Sequence, residues 1–145
     1  MKELRTEIEI AASANRVWAT LTDFSSFPVW NPFIRRVDGE LRVGARLVIR
    51  LQLPNARSMT FRPRVLRVEP GRQLRWRGHF IVRGLFDGEH AFEIEALSAD
   101  RARLVHREIF TGLLVPLMAR SLDHTTRRGF EAMNVALKAR AEGGS

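Results

Sequence analysis

GLLVPLMARSLDHTTRRGFEAMNVALKAR, Gly112 to Arg140, is the stretch whose reading decides the fold. Leu114, Leu117, Met118, Ser121, Leu122, Thr125, Gly129, Met133 and Leu137 recur at the i, i+3, i+4 spacing of one helix face. Arg120, Asp123, Arg127, Arg128, Glu131 and Lys138 occupy much of the opposite side. Pro116 fits only in a first turn, where its missing N–H has no partner to lose. These marks predict a helix of about 24 residues, roughly 36 Å long at 1.5 Å per residue. Its apolar face needs a sheet to cover it. Ser121, Thr125 and Gly129 are small or polar where a tightly packed helix carries larger groups, so part of that face is expected to border a cavity.

The residues before this helix read as strands. Leu4, Thr6, Ile8 and Ile10 alternate with charged Arg5, Glu7 and Glu9. Ser13 is a good N-cap for a short helix from Ala14 to Thr22. The aromatic, proline-broken segment Asp23 to Phe33 predicts one more short turn of helix and a loop. From Ile34 the period changes to two, with strand patterns at Ile34–Val37, Leu47–Leu53, Met59–Val65, Leu74–Phe80, Phe86–Ile94 and Leu104–Phe110. Asp38-Gly39, Pro54-Asn55 and Glu69-Pro70-Gly71 are turn signals between them. Turns this short imply an antiparallel meander. The expected class is α+β: two short helices after the first strand, then a curved antiparallel sheet of about seven strands wrapped around the long C-terminal helix. Residues 1–140 form a single domain in this reading, and 141–145 a disordered tail.

The chain has 145 residues, enough for one domain with a real core. It has no cysteine, which excludes disulfides and thiolate metal sites and makes a reducing cytoplasm the simplest home. The opening residues lead into a strand pattern and not a signal peptide. No apolar run approaches the ~18 residues of a membrane span. The formal net charge is +8, carried almost wholly by arginine. Thirteen arginines against three acidic residues lie between Arg35 and Arg83. Arg62, Arg64, Arg75 and Arg77 are expected on the outer sheet face, either as a solvated surface or facing an anionic membrane or an acidic partner. Nucleic acid is a minor reading, because no aromatics interleave there as a stacking platform.

Several local patterns resemble the START-like helix-grip (SRPBCC) superfamily, in its polyketide cyclase/dehydrase-like branch. They are Trp30-Asn31-Pro32-Phe33, Glu69-Pro70-Gly71 with Leu74-Arg75-Trp76, Gly88-Glu89-His90-Ala91-Phe92, and His106-Arg107-Glu108-Ile109-Phe110-Thr111-Gly112. The resemblance spans essentially the whole chain. It implies a deep apolar cavity between sheet and helix for a lipid, polyketide, quinone or similar molecule. It also implies an entrance at the loop Phe24 to Phe33 and the far ends of the strands. It leaves open whether the chain carries, cyclises or dehydrates its ligand.

Alternation supplies the polar candidates. If Ile94 pairs with Leu104, then Phe92 faces His106 and His90 faces Glu108, and all four point to the concave side with Phe86 and Phe110. A His–carboxylate pair in an apolar cavity serves as a ligand anchor, as a general acid–base or as a plain structural contact. A one-residue slip in pairing would turn the pair outward. The expected apolar wall is Phe61, Trp76, Phe86, Phe92, Phe110, Met118, Leu122 and Phe130, with Trp30 and Phe33 from the early loop. His90, His106 and Glu108 are the expected polar anchors.

Other chemistry has little support. His79, His90, His106 and His124 are dispersed, with His79 expected outside, so no metal site is expected. There is no Gly-x-Ser-x-Gly, and Ser121 with His124 is an ordinary helix-surface pair. Gly84 and Gly88 are too sparse for a phosphate loop. No cofactor is indicated, and oligomeric state is not legible. The function expected first is binding of a hydrophobic small molecule. The alternatives are a cyclase or dehydratase using His90 and Glu108, and a lipid or quinone chaperone working through the arginine-rich face.

Overall fold

A computed structural model describes residues 1–80 and 82–143. Strand β1 (Lys2–Ile10) is followed by helix α1 (Ala14–Thr22), a 3-10 turn (Phe24–Ser26) and helix α2 (Phe27–Trp30). Strands β2 (Ile34–Asp38), β3 (Val48–Leu51), β4 (Met59–Phe61), β5 (Arg64–Glu69), β6 (Gln73–Phe80), β7 (Phe86–Ser98) and β8 (Arg101–Thr111) come next. Helix α3 (Val115–Ser121) runs through a π-helical turn (Leu122–Thr126) into helix α4 (Arg127–Gly143).

The strands form a five-stranded sheet in the order β1-β8-β7-β6-β5 and a three-stranded sheet in the order β2-β3-β4, all antiparallel. The expected single strand from Met59 to Val65 is two strands here, giving eight among the described residues. Pro63 sits at the break, where it cannot donate to a ladder. Its carbonyl still accepts from Leu47 N at 2.8 Å, and Val65 exchanges backbone bonds with Gly44 and Ala45. The two sheets therefore curve into one continuous wall.

Helix α4 closes that wall with Phe130, Met133, Asn134, Leu137 and Ala141, all buried. The helix runs three residues past Arg140; Glu142 accepts from the Ala11 N–H at 2.7 Å, which holds its end against the start of the chain. Residues 144–145 of the expected tail lie outside the described residues. Between α3 and α4 the π turn adds a residue to one turn and so rotates α4 relative to α3. Thr126, and not Thr125, consequently joins Ser121 on the inner wall, while Gly129 meets the ring of Phe33.

On the outer face of β6, β7, β8 and β1 the charges interlock. Arg75 pairs with Glu89 and Glu93, Arg107 with Glu93 and Glu3, and Arg103 with Glu9 and Glu95. Arg75, expected as part of a basic face, is thus neutralised by its cross-strand neighbours. These are half-buried surface pairs that add modest stability each, and they offset the charge of Arg75, Arg103 and Arg107.

Candidate functional site

The site begins with the β7–β8 hairpin. Its register pairs Ile94 with Leu104, Phe92 with His106 and His90 with Glu108, the alignment that alternation predicts. In strands, i and i+2 share a face, so His90, Phe92, His106 and Glu108 all turn inward. On β6 and β7 two inward positions carry no side chain: Gly78 and Gly88 lie directly opposite one another. The missing side chains leave space.

That space is a cavity of about 240 Å³. Phe33, Leu51, Leu53, Met59 and Phe61 line one side, and Phe86, Phe110, Leu114, Met118 and Leu122 the other. Gly78 and Gly88 form its floor, and His79, His90, Glu108, Ser121 and Thr126 are its polar members. His79, expected on the outer face, touches the rim although it is exposed. Of the early loop, Phe33 alone reaches the wall among the described residues. The Asn31 side-chain oxygen fixes it there by accepting from the Phe33 and Ile34 N–H groups at 3.0 and 2.9 Å. Trp30 instead packs edge-on against Phe27.

Three other expected wall residues, Trp76, Phe92 and Phe130, and the expected anchor His106 lie one layer behind the cavity. Trp76 stacks on His90 with centroids 5.3 Å apart, and Phe92 touches both imidazoles. Phe130 lies parallel to His106 at 4.0 Å, and His106 itself is fully buried behind His90. Mouth residues Leu51, Leu53 and Met59 were not singled out by sequence, since core and pocket share one apolar pattern. Asn134 was missed too. Its signal was a polar residue four positions after Phe130, on the helix face shared with Leu137.

A continuous polar chain runs through the site. Thr6 Oγ1 donates to the His106 carbonyl at 2.9 Å, so it must accept from Asn134 Nδ2 at 2.8 Å. Asn134 Oδ1 then accepts from His106 Nδ1–H at 2.9 Å. Burial drives the His106 pKa well below its ordinary 6.5, His90 pushes the same way, and the Asn134 bond only partly opposes them. His106 is therefore neutral, with its proton on Nδ1 and a lone pair on Nε2. His90 Nε2, 2.7 Å away, must be the donor. A single proton remains for the 3.1 Å contact between His90 Nδ1 and Glu108 Oε1. It sits on the carboxylic acid beside a neutral imidazole, or on the imidazolium beside a carboxylate; both states carry no net charge.

This arrangement suits an apolar cavity, because a buried lone charge is costly and a neutral pair much less so. His90 is 4% exposed and the Glu108 side chain 17%, so the carboxyl is the group a ligand meets. Its second oxygen lies 2.1 Å from where a side-chain carbon at position 88 would stand. Any residue but glycine there would evict the carboxyl.

The buried imidazole also sets a pH dependence. Its folded pKa is depressed, so its stabilising contribution is fully present above about pH 6.5 and is lost as pH falls towards the folded value. The slope for one proton reaches about 1.4 kcal/mol per pH unit. Urea unfolding followed between about pH 7.5 and 5.5 checks this, and an unfolding midpoint that stays flat or rises on acidification contradicts it.

The sequence family described as "Polyketide cyclase / dehydrase and lipid transport" matches residues 1–142. The chain belongs to this family. Among curated proteins none matches it. Among solved structures it is similar to the Zhui aromatase/cyclase from a Streptomyces species, at 21% identity and a TM-score of 0.79, covering 97% of this chain and 93% of that one. A START superfamily protein from Mycobacterium smegmatis is 24% identical with a TM-score of 0.77, and 99% of each chain is covered. The di-domain aromatase/cyclase BexL is 16% identical with a TM-score of 0.76; 97% of this chain covers 47% of that one, so this chain spans about half its length. At such identities the likeness establishes the helix-grip fold.

Proposed function

We propose that the protein binds a hydrophobic small molecule between its curved sheet and C-terminal helix, and that Glu108 with His90 orients this ligand and exchanges a proton with it. The observation that carries this reading is the His90–Glu108 pair, in contact at 3.1 Å, opening into an otherwise largely apolar cavity. Aromatic walls at Phe33, Phe86 and Phe110 favour a flat, unsaturated ligand. A volume of about 240 Å³ is near the lower end of ordinary ligand sites, which favours one or two rings or part of a longer chain. Membership of a family described by cyclase, dehydrase and lipid-transport activities supports the same ligand class.

The hydrogen-bond order favours proton transfer over simple anchoring. Glu108 as a carboxylate takes a proton from an acidic C–H or O–H of the ligand, and the resulting acid returns it to a neighbouring atom. No other reagent is consumed, and His90 balances the charge in both directions. Such a step serves enolisation, the common prelude to cyclisation and to loss of water beside a carbonyl.

Native mass spectrometry of gently purified protein, followed by titration with flat hydrophobic ketones and phenols, tests this. Glu108→Gln keeps the shape but cannot carry the proton, so binding within about threefold of wild type with loss of turnover is expected for an enzyme. Gly88→Val occupies the cradle and should abolish binding. An empty protein with no thermal shift across the panel would sink the reading.

A further inference from the structure

We propose that the rim of the cavity mouth is a docking surface for an anionic lipid bilayer. This goes beyond the cavity reading and does not depend on which molecule the cavity holds. Leu117 is 82% exposed, Leu113 79%, Val82 53% and Met118 40%. Met118 also lines the cavity, which places this end of α3 at its opening. The turn before β7 is tied to the start of α3, because Leu113 N donates to Gly84 O at 3.0 Å and Leu114 N to Leu85 O at 2.9 Å. Val82, Leu113 and Leu117 therefore belong to one lip. On the helical pattern Leu117 should be buried with Leu114 and Met118; it projects into solvent instead. A cluster of aliphatic side chains this exposed, at the opening of an apolar cavity, calls for a partner that covers it.

Charge says which partner. Facing this lip is the β3–β4 hairpin, with Leu51, Leu53 and Met59 on its inner side and exposed Arg57 on the connecting loop. Arg83 follows Val82, and Arg120 follows Met118 by half a turn. Among the described residues Arg57, Arg83 and Arg120 have no carboxylate within ion-pair distance, unlike Arg75, Arg103 and Arg107 on the sheet. Arg50 and Arg62, also without ion pairs among those residues, extend the positive charge over the outside of the same hairpin. Aliphatics ringed by arginines match the boundary between acyl chains and anionic headgroups: the first enter the apolar layer while the second meet phosphate. A nucleic acid would match the charge but would leave the aliphatics in water.

Co-sedimentation of the full chain with vesicles of phosphatidylcholine, alone or equimolar with phosphatidylglycerol, tests the proposal. Binding to the anionic vesicles and not the neutral ones is expected, weakening as salt is raised. The double variant Leu113→Asp, Leu117→Asp should lose binding by about tenfold or more. Arg57→Glu and Arg120→Glu should each lose roughly tenfold or more, since each removes one favourable charge and adds a repelling one. Val43→Asp, exposed in the loop between β2 and β3, is the control and should bind as wild type does. All these positions are exposed, and unchanged melting temperatures confirm that the variants fold.

Absence of binding to anionic vesicles at low salt overturns the proposal. So does binding that depends on the arginines but ignores the leucine pair, which assigns the rim to any soluble polyanion. Self-association without vesicles, abolished by the leucine pair, assigns it to a second copy and also overturns it. A fluorescent apolar probe titrated without vesicles keeps the two readings apart. Probe binding lost in Gly88→Val with vesicle binding retained concerns the cavity alone. Vesicle binding lost in the leucine pair with probe binding retained concerns the rim alone.

Discussion

Asn134→Leu is expected to destabilise the protein by about 2–3 kcal/mol and to scramble the proton order at the site. Asn134 is buried and holds both the His106 Nδ1–H and the Thr6 hydroxyl. Leucine keeps the branched shape but is bulkier, so the loss comes chiefly from the polar groups left behind, with some overpacking added. A buried N–H without an acceptor costs about 1–3 kcal/mol, and the Thr6 oxygen loses the bond it accepts from Asn134. At about 3 °C per kcal/mol for a chain of this size, the melting temperature should fall by roughly 6–9 °C. A purely structural role would end there. The hydrogen-bond chain predicts more, because without Asn134 Oδ1 the His106 proton is free to move to Nε2. It would then face the His90 N–H, two donors 2.7 Å apart, and His90 would relieve this by moving its proton to Nδ1, where it donates to Glu108 as a carboxylate and the pair loses its neutral arrangement. Ring-nitrogen NMR should show His106 protonated on Nδ1 in wild type and a mixture in the variant. An unchanged tautomer and a melting temperature within about a degree would dismiss the positioning role of Asn134. Asn134→Asp separates the two effects, since it still accepts from Nδ1–H but adds a buried negative charge. Its His106 pKa should rise instead of staying depressed.

Gly129→Ala should destabilise, although helix propensity alone predicts a gain. In an exposed helix the change is worth roughly 1 kcal/mol in favour of alanine. Here the added carbon would lie 2.6 and 2.7 Å from two ring carbons of Phe33. Phe33 is buried, its backbone N–H is held by Asn31, and its ring packs against Phe130 at 5.5 Å. With its backbone held, the ring relieves the overlap by swinging towards the cavity it lines. The expected net loss is about 1–3 kcal/mol, with an accompanying fall of about tenfold or more in affinity for an apolar probe. A higher melting temperature with undiminished probe binding would show that Phe33 yields at no cost and that Gly129 plays no part in shaping the cavity.

Much of this architecture was legible because it derives from local period. The switch from alternation to helical spacing near Gly112 located the last helix, and the pairing of His90 with Glu108 came from one turn and the two-residue repeat. Pro63 shows where such reading falls short: it interrupts a strand pattern by one residue, yet here it divides the two sheets. Thr125 was expected on the cavity wall and Thr126 lies there, because a π turn obeys no spacing visible in the residues themselves. Trp76, Phe92 and Phe130 have the same apolar character as Phe61, Phe86 and Phe110. Whether an inward ring borders empty space or another ring depends on what lies across from it.

By itself the sequence determined the class of fold, the concave face of the last two strands, and the presence of a histidine–carboxylate pair on that face. These are consequences of backbone geometry, which repeats every two residues in a strand and every 3.6 in a helix. Tertiary structure alone decided the rest. It set Gly78 opposite Gly88 to open the cavity, stacked Asn134 and His106 behind His90 to order the protons, and left Leu113 and Leu117 uncovered at the mouth. Each of these depends on residues far apart in the chain meeting at a distance of a few ångströms, and no periodicity within one segment encodes such a meeting.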